Sequence, residues 1–170
     1  MRKQDVLKLV NPSLPKDEIR QILFQHGMDN LYQEMEMESP LVDTHQDISF
    51  TSDHVVQHSH LFYEIIYCTQ GDLDYLLGVR RYHIQTGDII IAPPGTIHCP
   101  ILPKEMKNPY KRYVIWISTS FTQTLQNRDA NIFDFQDAIV LRTAKTKWEY
   151  LNRFCIRAVR ESEARAPGWQ

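Results

Sequence analysis

Between about Leu41 and Ser118 this chain is a succession of short apolar runs, each cut off by a turn signal. The runs are Ile48–Ser52, Leu61–Thr69, Leu73–Leu77, Arg81–Gln85, Asp88–Ala92 and Tyr110–Ser118. Gly71-Asp72, Gly78, Thr86-Gly87-Asp88 and Pro93-Pro94-Gly95 punctuate them. Such residues supply the backbone conformations that tight turns need. Many short strands at this spacing predict a mainly β fold closed into a barrel or sandwich. Runs such as Ile89-Ile90-Ile91-Ala92 are too short to span a bilayer.

One strand carries a further expectation. In Leu61–Cys68, Phe62, Glu64, Ile66 and Cys68 share one face, and Leu61, Tyr63, Ile65 and Tyr67 the other. A strand with one wet face alternates more clearly than this. The outer face is therefore expected to be covered, by a terminal helix or by a second subunit.

The flanks read as helical. In residues 1–40, Pro15 suits a helix start, Asp17 and Glu18 suit its first turn, and Gly27 suits its end. A second short helix is expected through Leu31, Met35 and Glu36. Residues 121–170 are expected to be irregular to about Lys145, apart from the apolar stretch Ile139–Leu141. An amphipathic helix then runs from Lys147 to Ala164, with Trp148, Leu151, Cys155 and Ala158 on one face and Phe154 and Val159 beside them. The expected divisions are thus 1–40, 41–120 and 121–170.

Composition narrows the partners. A formal net charge of −2 and a pI near 6.4 give no footprint for nucleic acid or an anionic membrane surface. Cys68, Cys99 and Cys155 are few and widely spaced, with no C-x-x-C, which fits a reducing cytoplasm better than a disulfide framework. The opening MRKQDVLKLVNPSL has no long apolar run of the kind a secretory leader needs.

Two spaced patterns carry the chemistry: His58-x-His60-x3-Glu64-x6-Gly71 and Gly87-x5-Pro93-x-Gly95-x2-His98. On an extended chain His58 and His60 point to one side, with the parity of Glu64. Three imidazoles and a carboxylate suit a divalent ion such as Zn, Ni, Fe or Mn. Four residues of straight strand would hold Glu64 roughly 13 Å from His60, so a bend is required near Leu61-Phe62. His26, His45, His54 and His83 stand outside the pattern and read as surface or turn residues. Cys99 adjoins His98 but points the opposite way on a strand. Tyr63, Tyr67, Tyr75 and Trp116 either line a pocket or fill core.

These patterns resemble the two signature motifs of the cupin superfamily. The resemblance implies a double-stranded β-helix (jelly-roll) barrel with metal ligands at His58, His60, Glu64 and His98. Leu102 stands where the second motif closes on Asn. The tract HSHLFYEIIYCTQGDLDYLLGVRRYHIQTGDIIIAPPGTIHCPI, with its Gly-Asp-Ile and Pro-Pro-Gly-x-x-His, looks more narrowly like the N-terminal sensing domain of AraC-family transcription regulators. That likeness is tight from about Val55 to Ile101.

It implies a non-enzymatic, cytoplasmic homodimer that binds a small-molecule effector, with Phe62, Ile66, Tyr75 and Trp116 lining the pocket. DNA would be reached only through a helix-turn-helix domain beyond Gln170. A metal-dependent cupin enzyme of dioxygenase or isomerase type is the alternative. A filled barrel serving only dimerisation is a third.

Overall fold

The computed structural model describes residues 21–22, 25, 37, 39–49, 55–126, 133 and 137–165. The N-terminal helices expected in 1–40 lie almost wholly outside the described residues. Gly78 closes a hairpin, whereas Gly71 and Thr86-Gly87 lie opposite each other where the paired chain passes from one sheet to the other. The strands are β1 (Val42–Ser49), β2 (Tyr63–Gln70), β3 (Asp72–Leu77), β4 (Arg80–Gln85), β5 (Asp88–Ala92), β6 (His98–Ile101), β7 (Tyr110–Ile117) and β8 (Ile139–Arg142). Helix α1 spans Thr119–Gln126 and helix α2 spans Leu151–Ala164.

All pairings are antiparallel. One sheet runs β1-β7-β2-β5-β8 and the other β4-β3-β6. Ile66, Cys68, Ile90 and Tyr110 from the larger sheet meet Leu73, Tyr75, Leu77 and Ile84 from the smaller one in a single buried cluster. The two sheets therefore face each other as the walls of the expected barrel.

The outer face of the larger sheet is covered, as the doubly apolar β2 demanded. Ile65, Tyr67, Ile89, Ile91, Tyr113 and Ile115 pack against Leu151 and Cys155 of α2. The helix also lies across β1 and β7, and Thr44 Oγ1 donates to the Ala158 carbonyl at 3.4 Å. The helix begins at Leu151 rather than Lys147. Trp148 therefore sits in the preceding turn at 48% exposure, and the buried stripe is Cys155 and Val159. No helix among the described residues is long and apolar enough to cross a membrane.

Three elements depart from expectation. β1 starts at Val42 instead of Ile48, because an eight-residue ladder to β7 overrides the polar character of VDTHQDIS. β6 lies outside the expected runs and contains Pro100, which cannot donate to a ladder. It is tolerated because β6 is an edge strand. α1 is rich in Ser and Thr, which are weak helix formers. Its start is held by Ser118 Oγ accepting from the Phe121 N–H at 3.2 Å.

The β4–β5 turn shows why a glycine is needed. Gly87 has φ +93°, and a Cβ there would stand 2.7 Å from Ala144 Cβ. Gly87→Ala is expected to cost about 1–3 kcal/mol in denaturant unfolding, from positive-φ strain and contact together. A variant as stable as the parent would remove this turn from the account.

Candidate metal centre

The bend that the motif spacing required is present. Residues 58–62 lie outside the named strands, and His58 pairs across to His98 through an isolated antiparallel bridge. The His58 N–H donates to the His98 carbonyl at 3.2 Å and the His98 N–H to the His58 carbonyl at 2.9 Å. The Gly95 N–H donates to the His60 carbonyl at 2.7 Å. The Pro93–Gly95 turn and the His58–His60 segment are thus laced together, and β2 starts only at Tyr63.

This lacing brings His58, Glu64 and His98 together: one donor atom from each lies within 4.8 Å of the others. Glu64 Oε2 is 2.7 Å from His98 Nε2 and 3.4 Å from His60 Nε2. His60 flanks the triad rather than joining it, its ring stacked on Phe62 at 3.9 Å. His60, Glu64 and His98 are 3%, 4% and 0% exposed, while half-buried His58 forms the more open side.

The ring orientations are set by the backbone. Nδ1 of His58, His60 and His98 lies 3.0, 2.9 and 2.8 Å from the carbonyls of Val56, Phe62 and Thr96. A carbonyl only accepts, so each Nδ1 carries the proton, and Nε2 of His60 and of His98 faces Glu64. Metal-binding histidines are oriented in this way, with the far ring nitrogen tied to a carbonyl or carboxylate. Nε2 of His98 is in ion-pair contact with Glu64 Oε2 at 2.7 Å but makes no well-aligned hydrogen bond. A buried imidazole nitrogen without an aligned hydrogen bond beside a carboxylate oxygen is a donor pair that a shared cation would satisfy, so the residues present fit a borderline divalent ion.

Electrostatics agree. Burial pushes the Glu64 carboxyl up, but His60 and His98 outweigh it and hold its pKa well below the usual range. Burial pulls His98 down, yet the adjacent carboxylate leaves it net raised. Burial lowers His58, against the pull of the Val56 carbonyl. Glu64 therefore contributes stability above about pH 4.3, and the contribution is lost as pH falls through its depressed folded value. His98 contributes fully below about pH 6.5 and loses its contribution as pH rises through its raised folded value. A metal ion must displace that proton. Were zinc held by these residues, the rise in melting temperature that it causes would be expected to grow from about pH 5 to pH 8. A rise independent of pH would remove His98 from the ligand set.

The expected pocket residues separate. Phe62 is buried between His60 and Trp116, with ring centroids 4.9 Å apart on the Trp116 side. Tyr75 lies 6.4 Å from His98, ring to ring. Ile66 belongs to the cluster filling the space between the sheets. Trp116 donates from Nε1 to Glu64 Oε1 at 2.8 Å. Tyr67 belongs instead to the outer cluster under α2, and Tyr63 donates to the Phe133 carbonyl at 2.9 Å.

Of the other histidines, His83 is exposed and paired with Asp72 and Asp74, whereas His26 and His54 lie outside the described residues. His45 keeps a side chain 37% exposed and lies 3.6 Å from Asp47, while its ring stands edge-on to Trp116 at 4.8 Å. Placing β1 correctly would have shown this, because Asp43 and His45 then face the Trp116 side of β7. The buried Tyr110 hydroxyl, also without a hydrogen-bond partner, shares the inner cluster, and no motif had marked it.

A family model described as the AraC-like ligand binding domain matches residues 44–132. Among solved structures, apo ToxT from Vibrio cholerae is similar with a TM-score of 0.52 and 10% identity, covering 72% of this chain and 49% of that one. The chain thus spans about half the length of ToxT, and the match shows the fold alone. A Cupin 2 conserved barrel domain protein from Salinispora arenicola matches with a TM-score of 0.43 and 19% identity, over 58% of this chain and 80% of that one. The EutQ protein of Clostridium difficile matches with a TM-score of 0.39 and 18% identity, over 48% of this chain and 60% of that one. No curated protein matches the chain.

Proposed function

The chain belongs to the AraC-like ligand binding domain family, and from that premise we propose that it senses a small-molecule effector with the help of a divalent ion. The ion would be held by His58, Glu64 and His98, with His60 beside them, and Zn, Ni, Fe and Mn all suit that donor set. The observation that carries this reading is the set of three histidines whose Nδ1–H groups are tied to backbone carbonyls, with Nε2 of His60 and His98 facing one buried carboxylate and His58 within 4.8 Å of the Glu64–His98 pair. When bound, the ion supplies a Lewis-acid contact for an oxygen or nitrogen atom of the effector. The chain's own residues orient that contact and keep water from it, with Phe62 and Tyr75 packed beside the histidines.

In this reading the domain works as a cytoplasmic homodimer. It passes occupancy to a helix-turn-helix domain beyond Gln170, which alone meets DNA. Occupancy acts by favouring one of two arrangements of the barrel and its covering helix.

Protein purified without a metal-affinity tag, analysed for elements and titrated with candidate effectors with and without chelator, tests the proposal. It predicts about one ion per chain, as a single coordination shell of this kind holds, and an effector affinity that falls when the ion is stripped. Equal affinity in the stripped protein would overturn the metal-assisted reading. Turnover of the effector by the loaded protein would favour a dioxygenase- or isomerase-type enzyme.

A further inference from the structure

A carboxylate can meet a metal through one oxygen or through both, and the partner of its second oxygen decides which. Glu64 and Trp116 are directly opposed in the β2–β7 ladder. The indole N–H of Trp116 donates to Oε1 at 2.8 Å, while Oε2 faces His98 at 2.7 Å and His60 at 3.4 Å. The two oxygens therefore have different partners. The indole is itself held, with Phe62 at 4.9 Å and His45 edge-on at 4.8 Å between ring centroids.

Resting on the metal reading above, we propose that Trp116 is the positioning residue of the site: it occupies Oε1 of Glu64 and presents Oε2 alone to the ion. A one-oxygen carboxylate with two imidazoles leaves coordination positions open for an effector atom and suits zinc-like ions. It disfavours calcium, which takes many oxygen ligands and often a two-oxygen carboxylate. Trp116 is thus also a selectivity residue, although it touches no ion.

The test compares the full chain with its Trp116→Phe variant, which keeps a ring against Phe62 and His45 but removes the donor. Zn(II) affinity is measured by competition with a chelating dye, and coordination by the visible spectrum of Co(II). The variant is expected to bind Zn(II) about 10–100-fold more weakly, the usual effect of removing a partner of a metal ligand. Its Co(II) bands are expected to shift as Glu64 becomes free to use both oxygens.

A purely structural role would lower the melting temperature and leave both readouts unchanged in the folded protein. Unchanged affinity and spectrum overturn the positioning role and leave the metal reading standing. A parent that binds no Zn(II) overturns both. A variant too unstable to purify leaves the parent as the decisive sample. Its Trp116 indole ¹⁵N–¹H resonance, assigned by elimination with Trp148→Phe and Trp169→Phe, is expected to move on adding Zn(II). An unmoved Trp116 resonance at saturating Zn(II) also overturns the proposal.

Discussion

Glu64→Ala is expected to abolish zinc binding and to lower the stability of the ion-free protein by about 3–5 kcal/mol, the cost of breaking a buried charged pair by removing one partner. Glu64 is 4% exposed and is approached by three groups at once: the Trp116 indole and the His60 and His98 rings. Alanine leaves the indole N–H without its acceptor and the raised His98 without the carboxylate that raised it. No water-exposed position compensates, because His60 and His98 are themselves buried. Urea denaturation followed by circular dichroism gives the stability change, and dye competition gives the zinc affinity. A loss below 1 kcal/mol would mean that these contacts are looser than the geometry describes.

Ile90→Ala is expected to cost about 2–5 kcal/mol, the range for truncating a large aliphatic side chain in a packed core. Ile90 is fully buried, lies opposite Ile66 in the β2–β5 ladder and belongs to the cluster between the sheets. Its neighbour Ile91 points the other way, onto the half-buried surface under α2. Ile91→Ala is expected to cost clearly less, because less area returns to water and the helix can settle into the gap. Denaturant melts of both variants decide the matter. A larger loss at Ile91 than at Ile90 would invert the assignment of inner and outer faces.

Much of this architecture was legible because it rests on local rules. The short runs and their glycine and proline turns predicted five strands nearly to their ends, with Asp88–Ala92 matching in full. The two apolar faces of Leu61–Cys68 predicted a cover, and α2 supplies it. The bend between His60 and Glu64 was demanded by distance alone, and it occurs where the strand starts late, at Tyr63.

The remainder was fixed by partners distant in sequence. β1 is polar and becomes a strand through its ladder to β7, so the approach of His45 to Trp116 was invisible. The approach of Trp116 to Glu64 was hidden as well, because only the β2–β7 register reveals it. His60 has the parity of a ligand, yet the turn at Leu61-Phe62 stacks its ring on Phe62 and leaves it beside the triad. Trp148 has the spacing of the helical stripe, but the helix starts three residues later.

The site is the centre of this account, and its most direct test is anomalous X-ray diffraction at the zinc edge from crystals of the chain grown with zinc. The account predicts one strong peak inside the barrel, about 2.0–2.2 Å from Nε2 of His58, Nε2 of His98 and Oε2 of Glu64. Crystals with saturating zinc and no peak among those three atoms would contradict it.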